Sequence, residues 1–179
     1  MSAASGAPRS PLRVFGVDPG THALGYGVIE VRHGVAHHVA HGTVRALATH
    51  PLPQRLATIR SALAQAIAEL APHVVAIEGL FYARNVKSAL TLAHGRGVAL
   101  EVAASCGLPV VEYSPMEMKR GLVGYGRATK LQVAKMVQRL LALPSTPSAD
   151  AADALAIAIC HAHADRLSAL RSRRGRLER

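Results

Sequence analysis

Asp18 and Glu78 each close a short apolar run, Val14-Phe15-Gly16-Val17-Asp18 and Val74-Val75-Ala76-Ile77-Glu78, and two further acids, Asp150 and Asp153, stand three residues apart late in the chain. Acids are scarce here, with 11 Asp and Glu against 21 Lys and Arg. A carboxylate where a strand should bury its length is costly unless it is paired or bound to a cation, and hard divalent ions such as Mg²⁺ prefer oxygen ligands. Three or four converging carboxylates therefore suit one or two such ions. Two ions roughly 3.5–4 Å apart can activate water and stabilise the leaving oxygen of a phosphodiester. Taken singly, the same residues also read as solvated strand ends, and Asp150 with Asp153 as acids favoured by the dipole at a helix's first turn.

The elements that must position these acids can be read from periodicity. Residues 12–18 form an apolar run of the kind a buried strand carries, and Pro19-Gly20 ends it with turn chemistry. Residues 25–31 and 35–44 read as two further strands joined through Arg32-His33-Gly34. Leu52, Leu56, Ile59, Leu63, Ile67 and Leu70 recur at helical spacing and stop before Pro72. Residues 73–78 make the next strand, and the helical crossover before it suits parallel pairing with the first strand. Asp18 and Glu78 then share the carboxyl edge of one sheet, where open α/β sheets bind ligands.

Asn85 or Ser88 can cap a second helix running to about 105, with Gly95 and Gly97 inside it. Each interior glycine costs ~1 kcal/mol relative to Ala, which suits close helix packing, a dimer contact among the options. Residues 108–112 give a fifth strand, Pro115 opens a short helix, and a further helix that stops near Pro144 begins either at a Thr129–Gln132 capping box or at Arg127. An alanine-rich helix from 149 to about 166 puts Asp150 and Asp153 on one face.

At 179 residues and 50% hydrophobic content the chain suits one domain. The expected division is a flexible extension at 1–11, a domain at 12–166 and a basic, disordered tail at 167–179. A formal net charge of +10 and a pI near 10.6 favour a polyanionic partner such as nucleic acid. No apolar stretch reaches the ~18 residues of a membrane span and no signal-peptide apolar region opens the chain, so no membrane role and a cytoplasmic location are expected. Cys106 and Cys160 lack metal or disulfide spacing and read as buried small hydrophobes. His161 and His163 read as exposed histidines at a helix end. Arg84, Lys87, Arg96, Arg120, Arg127, Lys135 and Arg139 form a pool of cations for a phosphate-facing surface.

Gly16-Val17-Asp18-Pro19-Gly20-Thr21, then Gly25-Tyr26-Gly27, Ala76-Ile77-Glu78 with Phe81, and Asp150-Ala151-Ala152-Asp153-Ala154-Leu155-Ala156 together resemble the RuvC family of bacterial Holliday junction resolvases, in order and spacing from about 13 to 163. The resemblance implies an α/β, RNase H-like fold: a mixed five-stranded sheet flanked by helices, acting as a symmetric homodimer. It implies a Mg²⁺- or Mn²⁺-dependent endonuclease, with two ions per site, that nicks opposed strands of a four-way DNA junction in recombination and repair. Asp18, Glu78, Asp150 and Asp153 become the metal-binding and catalytic carboxylates, although relatives sometimes carry His where Asp150 stands. Lys119 and Lys130 become substrate-facing cations, and Phe81 an aromatic that helps open base pairs. RuvA and RuvB, the branch-migration proteins, are the implied partners. The competing readings are a non-catalytic junction-binding scaffold, a broader RNase H-like nuclease, and an actin-like ATPase suggested by the Asp18-Pro19-Gly20-Thr21 turn.

Overall fold

The computed structural model describes residues 10–79, 86–124, 126 and 128–177. Five strands, β1 (Leu12–Asp18), β2 (Ala23–Arg32), β3 (Val35–Arg45), β4 (Val74–Glu78) and β5 (Val110–Tyr113), form one sheet in the order β3-β2-β1-β4-β5. The first three make an antiparallel meander, while β4 runs parallel to both β1 and β5. The helix between β3 and β4 supplies the crossover that the parallel pairing with β1 requires. Five helices cover the two faces: α1 (Leu52–Leu70), α2 (Val86–Ser105), α3 (Pro115–Val123), α4 (Lys130–Leu140) and α5 (Ala149–Leu177).

Alternation along β1 assigns the faces. Phe15 and Val17 join Ile59, Leu63 and Ile67 of α1 and Ala99, Val102 and Ala103 of α2 in one core. Val14 and Ala76 point the other way, into a core built with Met118 and Leu122 of α3, Val133 and Val137 of α4, and Leu155 to Ile159 of α5. Residues Ala151, Ala152 and Ala154 to Cys160 are all buried, because α5 is sandwiched between the sheet and α3 with α4.

Its alanines are only half of the reason α5 can lie so close. A Cβ at Gly16 would fall 2.0 Å from the Ala154 carbonyl oxygen, and one at Gly25 would fall 2.1 Å from that of Asp150. These two glycines cut a notch in the sheet into which the α5 backbone settles, bringing its first turn to the end of β1. Gly95 plays the same part on the opposite face, where a Cβ would fall 2.5 Å from the Gly20 carbonyl oxygen, so α2 abuts the turn after β1.

The expected helix end near 166 is not observed. The α5 helix continues to Leu177, since Arg, Leu and Ala, which form helix readily, outnumber Ser168, Ser172 and Gly175 there and no proline interrupts the stretch. Residues 1–9 of the expected N-terminal extension lie outside the described residues. Cys160 is buried as expected, but Cys106 is exposed, because it falls in the turn just past α2 and not on its packed face.

Candidate active site

Asp18 is the last residue of β1 and Glu78 the last of β4, and the register Val17↔Ile77 sets the two side by side. Both share a face with Gly16 and Ala76, two residues earlier on their strands, which is the face that α5 covers. The helix therefore delivers Asp150 and Asp153 onto the same strand ends. Asp153 is held there at 15% side-chain exposure, and Asp150, one turn earlier, is half-buried.

The charges feel one another. Burial, then the neighbouring carboxylates of Glu78 and Asp153, push Asp18 up to about 8, with Lys130 opposing and Asp150 adding a smaller push. Glu78 is also raised, first by burial and then by Asp153, against the pull of Lys130, a hydrogen bond from Asp18 and the charge of Lys119. Burial and the neighbouring carboxylates thus push both Asp18 and Glu78 toward their protonated forms.

Lys130 enters the cluster directly, its Nζ 2.9 Å from Asp153 Oδ2. It is the first residue of α4, fixed there by a capping box in which Thr129 Oγ1 accepts from the Gln132 N–H and Gln132 accepts from the Thr129 N–H. A cation is unfavourable at a helix N-terminus. The carboxylates compensate it, and the hydrogen bond to Asp153 raises the Lys130 ammonium above its usual range. Lys119, half-buried on α3, acts on Glu78 through its charge. That helix begins with a second capping box, Ser114 with Glu117, which the sequence pattern Ser-Pro-x-Glu signals.

Among the described residues, no three carboxylates already stand as a finished coordination shell. The donor chemistry nevertheless fits a hard divalent ion. Four oxygen-bearing acids from three elements converge, and burial together with mutual repulsion leaves their negative charge undercompensated by the lysine present. Asp18, Glu78, Asp150 and Asp153 are the residues that would hold it.

Other sequence expectations resolve differently. Phe81, Arg84 and Arg127 lie outside the described residues. Arg96 forms an ion pair with Glu112 and so is tied down within the fold, while Arg120, Lys135 and Arg139 remain exposed. His161 is not the exposed helix-end residue its position suggested. It is half-buried, its Nδ1 hydrogen-bonded to the Tyr113 hydroxyl at 2.9 Å, because α5 continues and β5 packs against it. His163 is exposed, with Nδ1 bonded to the Gly121 carbonyl at 2.9 Å.

A mixed sheet with acids at the ends of adjacent central strands, completed by acids from a helix lying across it, is the arrangement of an RNase H-like phosphodiesterase. Comparison with known proteins narrows that class. The family model for crossover junction endodeoxyribonuclease RuvC matches residues 14–161, and the chain belongs to the RuvC family. The chain is 48% identical over 159 residues to the crossover junction endodeoxyribonuclease RuvC of Syntrophotalea carbinolica, covering 89% of this chain and 99% of the relative. It is 47% identical to the protein of the same name from Magnetococcus marinus, covering 85% of this chain and 84% of the relative. Among solved structures it superposes on Thermus thermophilus RuvC in complex with a Holliday junction substrate, with a TM-score of 0.82 and 33% identity, covering 88% of this chain and 96% of that one. The yeast mitochondrial Holliday junction resolvase Ydc2, at 14% identity and a TM-score of 0.60, shares the fold.

Proposed function

We infer that this chain is a structure-selective endonuclease that resolves four-way DNA junctions in recombination and repair. The observation that carries the reading is the convergence of Asp18, Glu78, Asp150 and Asp153 at one sheet edge in a chain of this family. The proposed roles follow from their surroundings. The four carboxylates hold Mg²⁺ or Mn²⁺, two ions per site, and when bound such ions supply Lewis-acid activation of water and charge stabilisation of the phosphodiester undergoing displacement. Asp18 and Glu78 are both pushed toward their protonated forms, and carboxylates ligate hard cations only when deprotonated, so ion binding there would be coupled to proton release. Lys130, on the rim of the cluster, holds Asp153 in place and presents an ammonium to an incoming phosphate, and Lys119 adds a second charge on the same side. Phe81 is proposed to stack on an opened base near the crossover, a contact that is tolerant of sequence.

A four-way junction has twofold symmetry, so paired nicks require two sites related by a twofold axis. The proposed homodimer has a surface that suits it: a shallow apolar groove on α2 lined by Leu90, Ala93, His94, Gly97, Val98 and Glu101, with Leu90 57% exposed. RuvA and RuvB are the proposed partners in handling the junction. No helix of the described residues is long and apolar enough to cross a membrane, and cytoplasmic action on DNA is proposed.

The test offers the purified protein a synthetic four-way junction, a matched duplex and an RNA–DNA hybrid, each with Mg²⁺, Mn²⁺ or chelator. Metal-dependent cuts confined to the junction are expected. Cleavage of the hybrid would move the assignment to a broader nuclease, and binding without cuts would favour a scaffold.

A further inference from the structure

The sheet edge that carries Asp18 has a second charged region on its other flank. β3 ends at Arg45, which pairs with Ala23, and the Ala46 N–H donates to the His22 carbonyl at 3.0 Å. The end of β3 is thereby tied to the turn that Asp18 begins. Arg55, in the first turn of α1, sets Nη1 of its guanidinium against the His22 ring, close to both Nδ1 and Nε2. Its Nε is buried and has no hydrogen-bond partner among the described residues. Arg45 is exposed. The ion pairs among the described residues engage Arg13, Arg32, Arg60, Arg96 and Lys130, and neither Arg45 nor Arg55.

A guanidinium held against an imidazole instead of a carboxylate is a cation without a counterion. Its planar fork of donors matches phosphate oxygens. The position is informative as well. His22 is four positions beyond Asp18, so the two lie within about 14 Å of each other. That is roughly four nucleotides of one strand at 3.4 Å rise. Lys119 and Lys130 belong to helices on the opposite face of the sheet from α1, and Glu78 lies toward β5 while Arg45 lies toward the β3 edge. The two cationic groups therefore flank the carboxylates and do not duplicate each other.

We propose that Arg45 and Arg55, the latter oriented by His22, form a phosphate clamp for the DNA arm that leaves the carboxylate cluster over the β2–β3 side of the sheet. The proposal rests on the DNA-cleaving reading above and adds the path of one arm. The contacts are to backbone and carry no base preference.

The test measures the affinity of the full chain, in chelator, for a four-way junction and for a linear duplex of the same sequence across 50–200 mM salt. The double variant Arg45→Gln with Arg55→Gln is expected to bind both DNAs about 3–10-fold more weakly, with the slope of log affinity against log salt reduced by about 2. Arg45→Gln alone, at an exposed side chain that forms no ion pair among the described residues, should reduce the slope by about 1. Arg→Lys at both positions should retain most of the slope, which a merely structural role for the guanidinium would not predict. An unchanged slope in the double variant and in Arg45→Gln would overturn the clamp. Absence of junction preference in the unaltered protein would count against the resolvase reading alone, since the duplex arm of the experiment still judges the clamp.

Discussion

Asp18 carries its charge in a place that disfavours it, and this has a measurable consequence for stability. Its folded value of about 8 lies far above the 3.8 of an ordinary aspartate, chiefly because of burial and then Glu78. Between those two values the folded chain holds a proton that the unfolded chain has released. The advantage of the protonated fold is fully present below about pH 4 and is lost as pH rises through about 8. Metal-free protein should therefore lose stability across this window, and Asp18→Asn, which removes the burdened charge, should flatten the loss. At pH 8.5 in chelator the variant should be the more stable by about 1–3 kcal/mol, given about 1.36 kcal/mol per pKa unit less what solvent screens. Urea denaturation at several pH values checks it. A wild-type profile that rises with pH would contradict the placement of this acid. The acids themselves were legible in the sequence because each interrupts or ends an apolar run. Arg55 was not legible, since nothing in the spacing of a helical arginine says that its neighbour in space is His22.

The elements were readable where hydrophobic period decides them. The stripe from Leu52 to Leu70 gives α1 its observed limits, and the runs before Asp18 and Glu78 give the two parallel strands. What periodicity misses is how closely elements approach. Gly16 and Gly25 look in sequence like turn or motif residues, yet each sits within a strand because the α5 backbone occupies the space of a side chain. Gly16→Ala tests this at the level of the element. With Ala154 backbone 2.0 Å from the new methyl, α5 must shift, at a cost of about 3 kcal/mol or more. Because α5 carries Asp150 and Asp153, cleavage should fall further than the loss of stability alone explains at a temperature where the variant is folded. A Gly16→Ala protein with normal stability and normal cleavage would contradict the notch. The length of α5 was missed for a related reason: its later half has helix-forming residues without an apolar stripe, so pattern alone gives it no reason to continue.

At the scale of the whole molecule, the arrangement is a carboxylate edge flanked by two cationic groups, with an apolar groove on a separate helix. The proposed pairing through α2 explains why Leu90 stays 57% exposed and why Gly97, around which a Cβ would meet nothing within 4 Å, leaves room for a neighbour. Leu90→Glu should shift the protein from dimer to monomer in sedimentation velocity and turn coordinated double nicks into single nicks. A variant that remains dimeric would place the interface elsewhere. The sequence hinted at this helix through its small residues, but could not separate Gly95, which packs against Gly20 inside one chain, from Gly97, which faces open space.

The most direct test of the central claim compares the unaltered protein with Asp18→Asn on one four-way junction, measuring binding in chelator and single-turnover cleavage with Mg²⁺. The variant is predicted to bind the junction within about threefold of the unaltered protein, because the proposed phosphate contacts lie on Arg and Lys side chains. Its cleavage should fall by roughly 10³-fold, equivalent to about 4 kcal/mol of transition-state stabilisation. Cleavage by Asp18→Asn at the normal rate would show that the carboxylate cluster does not carry the reaction.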